Sequence, residues 1–175
     1  MNNNYALYGN WILGDGGPNI LIPTDKVSQW QGARDYEQSI MNGGNLRTHY
    51  DIACEVSDWL GLTMEPGFPV ISLHGDDTMS AWLRTSDGKI GIVRPIFQDD
   101  SESVNVYNKA IEYGDVIQVT PYDGVVNQLS LLVAADVGES LIYGASEIQV
   151  CEKISTIETK EYKTDGYHLI VHLFK

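Results

Sequence analysis

Hydrophobic residues in this chain gather in short runs, most of them of strand length and bounded by glycine, proline, aspartate or asparagine. Trp11-Ile12-Leu13 and Asn19-Ile20-Leu21-Ile22 flank Gly14-Asp15-Gly16-Gly17-Pro18. Glycine there permits positive φ and proline fixes the exit, so the spacing predicts a hairpin-like reversal. Pro23-Thr24-Asp25 supplies an N-cap and a first-turn acid for a short helix that carries Val27 and Trp30 and ends before Gly32. Residues 32–47, rich in Gly, Asn and Gln, read as a loop. From Thr48 to Leu60 the period becomes helical. Thr48 and Asp51 form a capping-box-like start, Ile52, Ala53, Val56, Trp59 and Leu60 share one face, Asp51, Glu55 and Asp58 line another, and Gly61 stops the helix.

Beyond Pro69 the runs Val70–His74, Ser80–Leu83 and Lys89–Val93 are separated by Gly75-Asp76-Asp77 and Ser86-Asp87-Gly88, which predicts an antiparallel meander. A second helix is expected over Ser103–Tyr113, where Val104, Tyr107 and Ile111 recur at three and four residues behind Asp99, Asp100 and Glu102. The remainder is β-rich, with strands expected at Val116–Thr120, Gln128–Val133, Glu147–Cys151, Ile154–Thr159 and Tyr167–Phe174. In the last of these, Tyr167, Leu169, Val171 and Leu173 alternate on one face. The expected class is α+β: mainly antiparallel sheet with two or three short helices, in a single domain over residues 1–175.

Composition narrows the function. With 175 residues, 43% of them hydrophobic, the chain is too apolar for disorder and long enough for one core. Eleven basic against 24 acidic residues leave a net charge of −13, which repels nucleic-acid backbones and anionic lipid and attracts a basic protein. Met1-Asn2-Asn3-Asn4-Tyr5 shows no basic region followed by an apolar run, and no window has the ~18 consecutive apolar residues of a membrane span. A cytoplasmic location is expected. Cys54 and Cys151 are expected to be reduced core thiols.

Catalytic signatures are absent from the local sequence. Gly144-Ala145-Ser146-Glu147-Ile148 lacks the second glycine of a nucleophile elbow, and the glycines at 14–17 lead into a strand rather than a helix. His168 and His172 lie on an alternating segment, where four residues span about 13 Å, too far to share one metal ion. Trp11, Trp30, Trp59 and Trp82 read as core or sheet residues. Asp76-Asp77 and Asp99-Asp100 suit a turn and a helix N-terminus. As exposed acids they also suit contact with a basic surface.

Taken in order, Trp11, Gly16-Gly17-Pro18, Leu21-Ile22-Pro23, Trp30, Asp51-Ile52-Ala53-Cys54, Leu60-Gly61, Gly75-Asp76-Asp77-Thr78, Ala81-Trp82 and Val93-Arg94 resemble the immunity protein 21 family of bacterial polymorphic toxin systems. The resemblance covers roughly residues 9–110. It implies a cytosolic bacterial protein that binds a toxin delivered by its own or a sibling cell, as in contact-dependent inhibition, and blocks it with no catalysis, cofactor or metal of its own. The resemblance carries no site residues. Charge patterning points to Asp76, Asp77, Asp99, Asp100 and Glu102 as toxin contacts, with Phe97 as an apolar anchor, and a basic nuclease is a toxin class that such a surface suits. Two alternatives stand beside this: a small hydrolase or metal-dependent enzyme whose site is assembled only in three dimensions, and a structural β module that dimerises through paired edge strands.

Overall fold

The computed structural model describes residues 4–14, 17–34, 47–74, 79–98, 105–122, 127–136, 138, 141 and 144–175. In chain order the elements are β1 (Ala6–Ile12), β2 (Asn19–Pro23), a 3-10 helix (Thr24–Gln29), α1 (His49–Cys54), β3 (Leu60–Thr63), β4 (Val70–Leu73), β5 (Ser80–Arg84) and β6 (Ile90–Gln98). These are followed by α2 (Asn105–Tyr113), β7 (Asp115–Pro121), β8 (Gln128–Val133), β9 (Ala145–Gln149), β10 (Thr156–Lys163) and β11 (Tyr167–Phe174). The strands form two sheets, β1-β5-β6-β11-β10-β7 and β3-β4-β2-β8-β9. All the pairings described are antiparallel, so the α+β class read from the pattern is the class observed.

The sheets stack face to face. Between them Ile12, Trp82, Ile92, Ile157 and Phe174 of the first meet Leu21, Ile71, Leu73, Leu131 and Ile148 of the second. Each fully buried aliphatic or aromatic side chain there contributes about 1.5–3 kcal/mol through loss of apolar surface from water. Alternation along β11 sends Leu169, Val171 and Leu173 to the opposite face, where Val106, Tyr107 and Ala110 of α2 cover them. On the outer face of the second sheet Ile20, Ile22, Val70 and Leu132 pack with Trp30, Ala53 and Phe68. β2 and β4 are covered on both faces and are buried at every position, which is why they read as apolar runs without alternation apart from Asn19 and Ser72. Two indoles tie the layers together: Trp82 Nε1 donates to the Ser146 carbonyl in the facing sheet at 2.8 Å, and Trp30 Nε1 donates to the Ala134 carbonyl at 2.9 Å. Trp11 and Trp59 are half-buried.

Several local expectations are corrected. The segments at 11–13 and 19–22 do not form a hairpin: β1 pairs with β5, and β2 pairs with β4 and β8 in the other sheet. Ile12 and Leu21 bury against the same core from opposite sides, and long-range pairing takes precedence over the local turn. The meander is likewise divided, because β4 belongs to the second sheet while β5 and β6 form a hairpin through Gly88 at φ +93°.

The capping box of α1 is present. Thr48 Oγ1 accepts from Asp51 N at 3.1 Å, and Asp51 Oδ2 accepts from Thr48 N at 2.8 Å. The helix nonetheless ends at Cys54 rather than Leu60, because Leu60 starts β3 opposite Leu73. Cys54 and Cys151 are exposed rather than in the core and form no disulfide: Cys54 closes α1 and Cys151 follows β9 out of its sheet. Within the second helix, residues 103–104 lie outside the described residues.

Candidate functional site

Of the residues expected to contact a toxin, Asp76, Asp77, Asp99, Asp100 and Glu102 lie outside the described residues. Phe97 sits on β6 with its backbone opposite His168. The antiparallel register of β5 and β6 puts Ser80 and Gln98 toward the same end of the six-stranded sheet, and Tyr167 of β11 pairs with Gln98 there. At that end Glu161 Oε1 lies 2.8 Å from Lys163 Nζ and 2.9 Å from His168 Nε2. The bond from Lys163, with a second from His168, holds the Glu161 carboxyl below the usual carboxylate range in spite of some desolvation.

The least covered strand adjoins this end. β7 is an outer strand of the six-stranded sheet, and Val116 and Val119 are 53% and 57% exposed. Ile117 and Tyr113 are also open to solvent. Val119 lies opposite Glu158 and Val116 opposite Lys160, with Ile117 left over as a bulge between them. Lys160 Nζ reaches back to the Ile111 carbonyl, so Val116 shares the outer face with the end of α2 but is not covered by it. β7 carries one charge, Asp115, and no lysine, and its proline lies at the far end. A sheet edge of this kind invites pairing.

Gln118 points inward and acts as a short substitute for a strand. Its Nε2 donates to the Leu60 carbonyl at 2.7 Å, and its Oε1 accepts from Leu60 N at 3.2 Å. The edges β7 and β3 are thereby laced together on one side of the sandwich. Val116 and Val119, opposite Lys160 and Glu158, form an apolar strip on the outer face of the first sheet, and Leu62 of β3 and Met64 just after it are exposed as well. An apolar strip on an acidic chain has the make-up of a protein-binding surface, with apolar contact at the centre and charge around it.

Behind β3 lies a cavity of about 250 Å³ lined by α1, residues 56–58, β3 and Ser72 of β4. Glu55, Asp58 and Glu65 stand at it, and Arg47 bridges Glu55 and Glu65, lying 2.6 Å from the latter. Ser72 is 1% exposed, and its Oγ has no hydrogen-bond partner among the described residues.

The strongest titration shifts lie between the sheets, out of solvent's reach. Desolvation pushes the Arg94 guanidinium down to about 10, so it stays charged at neutral pH. His172 is fully buried with its Nδ1 2.9 Å from Thr159 Oγ1, and desolvation, reinforced by the Arg94 charge, drives it well below the ordinary imidazole value. Among the described residues no three His, Cys, Asp or Glu side chains are grouped to hold a metal ion, and no helix is long and apolar enough to cross a membrane.

The sequence pattern located β7 but not its exposure, because position in a sheet is set by residues far away in the chain. For the cavity there is no sequence signal, since Arg47, Glu55 and Ser72 meet only through the packing of α1 on β3 and β4. By architecture the chain is a two-sheet antiparallel sandwich with helical elements on its outer faces. No family model matches it, and neither the curated proteins nor the solved structures contain a match.

Proposed function

We propose that this chain is an immunity protein of a bacterial polymorphic toxin system. It neutralises a basic toxin domain in the cytosol by covering the toxin's active surface, and it performs no chemistry itself. The observation that carries the reading is the uncovered edge strand β7, with Val116 and Val119 more than half exposed, on a chain of net charge −13. The resemblance of the motifs between residues 9 and 110 and the general acidity agree with it. A negative field speeds encounter with a cationic partner, while the apolar strip supplies desolvated contact once the two have met. Asp76, Asp77, Phe97, Asp99, Asp100 and Glu102 remain the other proposed contacts, on the strength of their charge and type in the sequence.

The test is growth of cells that express the toxin domain encoded beside this chain, with and without the chain. Wild type restores growth. Val116→Asp with Val119→Asp weakens binding at least about tenfold and abolishes protection, because two charges would have to be desolvated in the contact. Charge reversal at Asp76, Asp77, Asp99 and Asp100 lowers the association rate and its salt dependence. Full protection by both variants overturns the proposed surface, and no protection by wild type overturns the function.

One observation favours a second reading, a β module that dimerises. Antiparallel self-pairing of β7 about Gln118 would oppose Val116 to Thr120 and Ile117 to Val119, with no two like charges opposite each other. Self-association at neutral pH that strengthens with salt would support it.

A further inference from the structure

We infer that the cavity behind β3 is a binding site for an alkyl guanidinium, independent of the toxin-binding reading. The cavity already shows what its rim accepts: Arg47 lies with one guanidinium nitrogen on Glu55 and another on Glu65. Each carboxylate has about four lone-pair sites, so both retain acceptor capacity, and Asp58 brings a third carboxylate against the single cation of Arg47. An anion would meet a net negative rim, whereas a planar cation with several N–H donors meets acceptors on several sides.

The floor points the same way. Ser72 alternates with Ile71 and Leu73, which face the inter-sheet core, so its side chain lies on the cavity's side of the sheet. Its unpartnered Oγ is buried at the back, where an arriving N–H donor would satisfy it. Ile52 and Val56 supply an apolar wall for an aliphatic stem, whereas Leu60 and Leu62, opposite Leu73 and Ile71, turn to the inter-sheet side. At about 250 Å³ the space equals about eight waters, below the ~300–1,000 Å³ of drug-sized sites and suited to one side chain or one small amine. Opposite Ser72, Gly61 has no side chain, and a Cβ there would lie 2.5 Å from Val56 Cγ2, so the approach of β3 to residue 56 depends on glycine.

The guanidinium could arrive free or on an arginine side chain of a docked protein, and two probes separate these sources. Isotope-labelled protein is titrated by NMR with agmatine, with an acetylated and amidated Gly-Arg-Gly peptide, and with butylurea as the neutral isostere. We expect saturable shifts confined to residues 47, 52, 55–65 and 72 for both cations and none for butylurea. Tighter binding of the peptide assigns the site to a protein-borne arginine, and tighter binding of agmatine assigns it to a free amine. Glu55→Gln with Asp58→Asn and Glu65→Gln weakens binding about tenfold with little change in melting temperature, because the rim groups are exposed. Ser72→Ala weakens it about threefold or more if the ligand reaches the floor. Equal binding of butylurea, shifts scattered over the acidic surface, or indifference to both the rim and the Ser72 substitutions would overturn the site.

Discussion

Lowering the pH from 7.5 to 5.0 is expected to destabilise this protein chiefly through one side chain. His172 is fully buried between the sheets beside the Arg94 cation, and its folded-state proton affinity lies well below that of a free imidazole at 6.5. The fold therefore stabilises the neutral ring. That stability is fully present above pH 6.5 and is lost as the pH falls toward the folded-state value, because the unfolded chain takes up a proton that the folded chain refuses. The slope is at most about 1.4 kcal/mol per pH unit for one proton, so between pH 6.5 and 5.0 the loss has a ceiling of about 2 kcal/mol. For a chain of this length that is about 4–8 °C in melting temperature, out of a total stability of about 5–15 kcal/mol. His49, lowered by burial, adds a smaller change of the same sign. Glu161, whose carboxyl is held below 4.5, titrates under this window. Urea denaturation at pH 7.5, 6.5, 5.5 and 5.0 measures the slope, and His172→Gln, which keeps a polar group for Thr159, should remove most of it. Parallel decline of wild type and variant would refute the assignment of a neutral, unreachable imidazole.

Two further substitutions probe what holds the layers together. Trp82→Phe removes the donor to the Ser146 carbonyl and shrinks a fully buried ring, so unfolding free energy should fall by about 1–3 kcal/mol from the lost hydrogen bond, with the void adding to it; a change below about 0.5 kcal/mol in urea titration would deny the indole that role. Gly32→Ala places a Cβ 2.2 Å from the Asp136 carbonyl oxygen at a backbone φ of +53°. A loss of about 1–3 kcal/mol is expected by thermal denaturation, and an unchanged melting temperature would show that the 32–34 turn and the segment after β8 separate freely.

The α+β class, the strands from Gln128 onward and the capping box at Thr48 and Asp51 were legible in the order of residues, because period, turn chemistry and capping act over a few neighbours. The assignment of β1 and β2 to different sheets was not. Both flank a convincing turn, yet Ile12 and Leu21 bury on opposite sides of one core, and only partners some 50 to 110 residues away decide which sheet each joins. Leu60 similarly fits the apolar face of a helix and becomes a strand because Leu73 offers it an edge. Cys54 fits a core residue by type and is exposed by its place at the end of a shortened helix. The candidate surfaces belong to this second kind: an exposed edge such as β7, or a cavity gathered from Arg47, Glu55 and Ser72, is defined by what the rest of the chain leaves uncovered. Charge and local structure are properties of neighbouring residues and can be read along the chain, whereas exposure and juxtaposition come into being only when distant strands pair.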